Sequence, residues 1–311
     1  MQPERIAYGV YRLRTLLVNV YFITGSEELH SPWTLIDTGL PGYSGAIRRA
    51  TERIFGRPPS QILLTHGHFD HVGGLPTLAE RWGVPVYAHP LEMPYLTGRS
   101  QYPPPDPTAG GGALAWTSAV NPRGPIDLGA RVRILPEGGA VPGLPDWLWL
   151  RTPGHTPGHV SLYREGDGTL IAGDAVVTTK QESLLNVIAQ REMVWRPPAY
   201  FTPDWIAARR SVQTIAALNP EVLATGHGRV LRGESMRRAL RNLANGFDEA
   251  MPSSGRYVPY PAVFDETGVV HVPPRVHMTP AARAVLGAAA LAAGLTLIAA
   301  RRRAVASRAL R

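Results

Sequence analysis

The run Thr65-His66-Gly67-His68-Phe69-Asp70-His71 constrains this chain more than any other segment. It follows Gln61-Ile62-Leu63-Leu64, which reads as a short apolar strand, and precedes Val72-Gly73-Gly74, where a helix can open. A strand-to-helix turn presents side chains at the carboxyl edge of a sheet, where α/β proteins keep their sites. Three of the ten histidines fall within these six residues, beside a carboxylate. Such crowding is costly unless a cation shares the space between the side chains.

Three other turns repeat the design. Thr152-Pro153-Gly154-His155-Thr156-Pro157-Gly158-His159 follows an apolar segment in a turn rich in Gly and Pro. Leu170-Ile171-Ala172-Gly173-Asp174 ends a strand on a carboxylate, and Leu223-Ala224-Thr225-Gly226-His227-Gly228 ends one on a histidine. Each candidate ligand therefore stands at a strand end, in a turn loosened by glycine. Strands are expected over 6–24, 33–37, 61–64 and 84–88, then near 131–135, 147–152, 160–164, 169–172 and 222–224. Helices are expected near 43–55, 73–82, 204–218 and 233–250, and the alternation argues for an α/β core. Residues 98–113, with Pro103-Pro104-Pro105 and Gly110-Gly111-Gly112, form a long loop of the kind that serves as a lid or binding loop.

Composition narrows the chemistry. There is no cysteine, which excludes thiolate zinc sites, Fe–S clusters, disulfides and a cysteine nucleophile. With 44% hydrophobic and 18% charged residues, the chain can bury an ordinary core. The net charge of +8 suggests an anionic partner, but residues 281–311 hold six arginines and no acid. Removing those six from the 32 basic residues leaves 26 against 24 acids, so the body is nearly neutral and argues against nucleic acid.

The order His66-x-His68-x-Asp70-His71, then His155, Asp174 and His227, resembles the metal-binding motifs of the metallo-β-lactamase superfamily. Asp37 in Ile36-Asp37-Thr38-Gly39 matches that family's early strand-end aspartate, and the similarity spans roughly residues 6–250. The resemblance implies a four-layer αββα sandwich with metals in a cleft along one sheet edge. It also implies that His66, His68 and His155 hold one metal and that Asp70, His71 and His227 hold a second, with Asp174 bridging. Asp37 would orient a ligand. His159 would support the site or lie on the surface, and His89 would be structural.

Two divalent ions, zinc first with iron or manganese as alternatives, would lower the pKa of a bridging water. The hydroxide would attack a small-molecule ester, thioester or lactone, and Asp70 could relay a proton to the leaving group. The absence of cysteine and the presence of Asp174 argue against β-lactams as the main substrate. Close likeness to the glyoxalase II-like motif Gly-His155-Thr-Pro-Gly-His159 and to the His68-Phe69-Asp70-His71 run of acyl-homoserine lactonases favours acyl substrates. An iron-dependent oxidoreductase or dioxygenase of the same fold, or a β-lactam or phosphodiester hydrolase, is the rival reading. Lys180, Tyr102 and the 178–182 stretch are candidate substrate contacts by position alone, while Trp195, Tyr200, Phe201 and Trp205 are expected to pack around a second-half helix.

The chain divides into a catalytic region at 1–250, a Pro/Tyr-rich extension at 251–280 and an Arg-rich tail at 281–311. Residues 284–300 carry no charge and as a helix would reach about 26 Å, which suits a membrane anchor. The following Arg301-Arg302-Arg303 would place the tail in the cytoplasm, while the lack of a signal at Met1–Val10 argues for a cytoplasmic enzyme.

Overall fold

Along the strand Val18–Thr24, successive side chains face different layers, and this alternation carries the architecture. Val20 and Phe22 join one apolar cluster with Leu13, Trp33 and Ile62. Tyr21 and Ile23 join a second with Leu63, Trp147, Val160 and Ile171. A computed structural model describes residues 1–275 apart from 27 and 29.

The first sheet runs β1 (Glu4–Ala7), β2 (Val10–Thr15), β3 (Val18–Thr24), β4 (Trp33–Ile36), β5 (Gln61–Leu63), β6 (Val86–Ala88) and β7 (Val132–Ile134), in that spatial order. It is antiparallel through β4 and parallel from β4 to β7. The second sheet comprises β8 (Ala140–Val141), β9 (Leu144–Arg151), β10 (Val160–Arg164), β11 (Thr169–Ile171), β12 (Val222–Ala224) and β13 (Leu231–Arg232). Its strands are antiparallel except for the β11–β12 pair.

Helices α1 (Ser44–Phe55) and α3 (Leu75–Trp82) bury Ile47, Ala50, Phe55, Leu75 and Leu78 on the outer face of the first sheet. The short α2 (Phe69–Val72) lies between them in the chain. Connections carry α4 (Met93–Leu96), α5 (Ala113–Thr117) and α6 (Leu184–Ala189). Helices α7 (Trp205–Ala217) and α8 (Gly233–Asn245) cover the second sheet, where Leu170 and Leu223 meet Val212, Ile215 and Leu240. α7 starts where Asp204 accepts a hydrogen bond from Ala207 N at 2.9 Å, an N-cap worth about 1 kcal/mol. Each fully buried Leu, Ile or Phe in these clusters contributes about 1.5–3 kcal/mol of burial. Three apolar layers separate four structural ones, so the αββα order expected from the motifs is the order found.

The stretch 6–24 is three strands rather than one, because Gly9 at φ 63° and Leu16 at φ 67° each turn the chain in a left-handed conformation. The helix expected over 233–250 is interrupted only at Gly246, which separates α8 from a short helix at Phe247–Ala250. Residues 251–275 contain no helix and include a hairpin, β14 (Val263–Asp265) with β15 (Gly268–His271). No helix among the described residues is long and apolar enough to cross a membrane. The expected anchor at 284–300 lies outside the described residues.

Candidate metal centre

Every candidate ligand leaves a strand of one sheet or the other at the same edge of the sandwich. His66, His68, Asp70 and His71 follow β5, His155 lies between β9 and β10, Asp174 follows β11, and His227 follows β12. Their metal-binding atoms fall into three groups: His66 with His68 and His155, His66 with His71 and Asp174, and Asp70 with His71 and His227. Within each group the atoms lie within 4.8 Å of one another. All seven side chains from two sheets thus converge on one space.

The hydrogen bonds behind the rings decide what faces that space. Asp37 accepts from Thr65 N at 2.8 Å, from Thr65 Oγ1 at 2.7 Å and from His71 Nδ1 at 2.8 Å. Since Thr65 Oγ1 donates to Asp37, it accepts from His66 Nδ1 at 3.0 Å. His227 Nδ1 donates to the Leu17 carbonyl at 2.9 Å, because a carbonyl can only accept. In all three rings Nδ1 carries a proton, and Nε2 faces the cluster. Asp37 itself adopts φ 59°, a strained conformation of the kind found where function fixes the backbone.

The facing atoms crowd together. His227 Nε2 lies 3.1 Å from Asp174 Oδ2 and 3.4 Å from Asp70 Oδ2, and His71 Nε2 lies 3.6 Å from Asp174 Oδ1. His66 Nε2, His71 Nε2 and Asp174 Oδ1 are buried without a hydrogen-bond partner. His68 Nδ1 and His155 Nε2 face each other at 2.9 Å. Lone pairs and carboxylates aimed at one another are unfavourable unless a proton or a cation lies between them. The donor set of imidazole nitrogens and carboxylate oxygens suits zinc, iron or manganese, so the residues fit a metal centre.

Local charge follows the same division. Burial holds His66 and His155 well below the usual histidine range, helped by neighbouring imidazoles, and brings His68 down to about 4. Burial opposes the His227 cation, yet Asp174 and Asp70 together lift it to about 10. His71 is likewise raised by Asp174 and Asp37 against its burial, and Asp174 is held well below the carboxylate range by His227 and His71. One side offers neutral nitrogens, and the other calls for positive charge.

Glycine lets the turns close. A side chain at Gly226 would strike the Asp174 carboxylate and the His71 ring, and one at Gly67 would strike the Tyr102 hydroxyl.

A family model described as the metallo-beta-lactamase superfamily matches residues 13–227. The chain belongs to the metallo-β-lactamase superfamily. It is 46% identical over 241 residues to YflN, a probable metallo-hydrolase of Bacillus subtilis, covering 77% of this chain and 91% of that one. Among solved structures it is similar to a beta-lactamase domain protein from Burkholderia ambifaria, with TM-score 0.56 and 23% identity over 79% of this chain and 76% of that one. It is also similar to the metallo-beta-lactamase family protein TTHA1429 from Thermus thermophilus, with TM-score 0.52 and 21% identity, covering 78% and 80%. The two structural likenesses show the superfamily fold.

Several residues outside the motif set shape this superfamily site. Glu92 is buried and accepts from Gly67 N at 2.9 Å, from Gly158 N at 2.8 Å and from the Tyr102 hydroxyl. It ties the His66–His68 turn of one sheet to the His155–His159 turn of the other, and burial pushes its carboxyl up to about 7. Nothing local marks Glu92 in the sequence, because its partners lie 10, 25 and 66 positions away. His159 is buried rather than superficial: its Nε2 accepts from Asp174 N at 2.9 Å, and its Nδ1 donates to Thr152 Oγ1 at 2.9 Å.

The remaining expectations divide. Tyr102 from the long loop packs against His68 with ring centroids 4.6 Å apart. Tyr200 and Phe201 line a narrow slot with Tyr102, His68 and His155, whereas Trp205 packs in the core. Lys180 stacks on Trp195 at 5.3 Å, and Glu182 is spent on a buried pair with Arg196 at 2.6 Å. His89 accepts from Leu91 N at 3.1 Å and caps a turn, away from the metal-binding groups.

Proposed function

We propose that this metal-dependent hydrolase works with two divalent metal ions, zinc first, and opens an ester, thioester or lactone. The carrying observation is the convergence of the His66, His71 and His227 Nε2 atoms on the buried Asp174 carboxylate, with His66 Nε2, His71 Nε2 and Asp174 Oδ1 lacking a hydrogen-bond partner. In this reading His66, His68 and His155 hold one ion, Asp70, His71 and His227 hold the other, and Asp174 lies between. Bound there, divalent ions would supply an activated water and would polarise a substrate carbonyl.

The chain's own residues do the rest. Asp37 and Thr65 fix the His66 and His71 rings from behind, and the Leu17 carbonyl fixes His227. The Asp70 side chain is 16% exposed while those of His71, Asp174 and His227 are at most 3% exposed, so Asp70 stands at the mouth, where a leaving group departs. A carboxylate there can accept a proton from the attacking water and return it to the leaving oxygen or sulfur. Tyr102, Phe201 and Tyr200 line a narrow slot beside His68 and His155, which keeps water from the reacting group.

The kinship with a probable metallo-hydrolase supports hydrolysis as the reaction class. Metal-loaded protein tested on lactones, thioesters, phosphodiesters and a chromogenic β-lactam should turn over an acyl substrate fastest. Turnover confined to the phosphodiester or the β-lactam would overturn the acyl assignment.

A further inference from the structure

We propose that a cavity beside the metal centre binds an anionic group, carboxylate or phosphate, at the far end of the acyl substrate. The cavity measures about 270 Å³ and is lined by Pro104, Pro105, Asp106, Arg123, Arg256 and Arg275, among others. Pro104 and Pro105 also line the slot next to His68 and His155, so the two spaces lie a proline ring apart. That slot holds only about 10 Å³, room for a reacting carbonyl and little more. The body of a substrate attacked at the metal centre must lie elsewhere, and the arginine cavity is the adjoining space.

Three guanidinium groups meet one carboxylate there, and that carboxylate is already engaged. Asp106 accepts from Thr108 N at 3.0 Å, from Thr108 Oγ1 and from Arg256 N. Arg123 donates only to neutral oxygens, Tyr102 O at 3.3 Å and Gln101 Oε1 at 3.0 Å. Arg256 is 9% exposed and lies 5.9 Å from the Tyr257 ring centroid. None of the three arginines forms an ion pair with a carboxylate among the described residues. Residues 276–311 contain no Asp or Glu, so that segment brings no acidic side chain. A nearly buried guanidinium without a counter-charge is costly, and its fork matches carboxylate and phosphate oxygens. Behind the cavity wall the Tyr257 hydroxyl donates to Pro104 O at 2.6 Å and holds that residue in place.

The substrate part of this inference rests on the hydrolase reading, while the anion site itself does not. The test uses the full metal-loaded chain in two arms. Isothermal titration with glutarate, and separately with inorganic phosphate, reads binding without turnover. Arg256→Gln and the exposed Arg275→Gln should each weaken it by about tenfold, and Arg256→Lys, which keeps the charge but loses the fork, should fall between wild type and Arg256→Gln. In the second arm, an activated ester ending in a carboxylate is compared with its neutral methyl-ester analogue. The acid should be preferred by about tenfold in kcat/KM, with the preference falling in both Gln variants. Binding that is absent, or unchanged in both Gln variants, overturns the anion site. Arginine-dependent binding with neither ester turned over upholds the cavity and removes the ester-hydrolase reading. Hydrolysis of both esters at equal rates, without anion binding, does the reverse. A response to phosphate alone assigns the phosphate class.

Discussion

The two sheets contribute to the centre in different ways. The first supplies His66, His68, Asp70 and His71 from one turn, and its brace is near at hand: Asp37 at the end of the neighbouring strand holds Thr65 and His71. The second supplies His155, Asp174 and His227 from three separate turns, each steadied by a different partner. Glu92 holds Gly158, His159 holds the Asp174 amide, and the Leu17 carbonyl holds His227 across 210 positions. A locally built half should tolerate loosening of the sandwich, whereas an assembled half should feel it first.

Removing a shared carboxylate should erase the distinction. Asp174 Oδ1 faces His71 at 3.6 Å, and its Oδ2 faces both His227 at 3.1 Å and His155 at 3.5 Å. Asp174→Ala should therefore lose both metals and fall to background turnover, checked by metal analysis beside an acyl-substrate assay. A variant that keeps both metals would mean that the halves do not meet at this residue.

Loosening one half comes next. Asp37→Ala frees the His66–Thr65–His71 brace and should lower metal affinity or activity by about 10–100-fold, read by competition with a chelator. Glu92→Gln keeps the shape but replaces an acceptor with a donor facing Gly67 N or Gly158 N. It should cost about tenfold in metal affinity, with the group that holds His155 affected more than the one that holds His71.

Glu92 also gives a pH signature in metal-free protein. Its carboxyl is raised from 4.5 in the free side chain to about 7 by burial, so the unfolded chain ionises first. A group that holds its proton more tightly when folded favours the fold at low pH, and that contribution fades as pH rises from about 4.5 to 7. Wild type should lose up to about 3 kcal/mol from this source across that window, an order-of-magnitude ceiling, and Glu92→Gln should flatten it. Denaturant midpoints at pH 5 and pH 7.5 check the difference; a slope unaltered by Glu92→Gln would relocate the titration. The smallest effect belongs to Lys180, which lies on the Trp195 face: Lys180→Gln should change kcat/KM less than about threefold.

The same contrast explains what could be read in the sequence. Ligands at strand ends were legible because short apolar runs such as Leu63-Leu64 and Leu170-Ile171 stop directly before them, and the positions of His66, Asp174 and His227 follow from that. Asp37 was legible for the same reason. Glu92 was not, since its role exists only once residues 25 and 66 positions away are folded around it. The aromatic slot divided for a similar reason: Phe201 and Trp205 are four apart, yet one faces the site and the other the core. The hairpin β14–β15 was missed because Pro and Tyr around it carry no clean alternation.

Metal stoichiometry tests the joining of the two halves most directly. Full-length protein, metal-loaded and desalted, should carry about two divalent ions per chain by elemental analysis, and His66→Ala should lose both metal and turnover. One iron per chain with oxygen uptake, or a His66→Ala protein with full metal and full activity, would contradict a hydrolytic centre shared by both sheets.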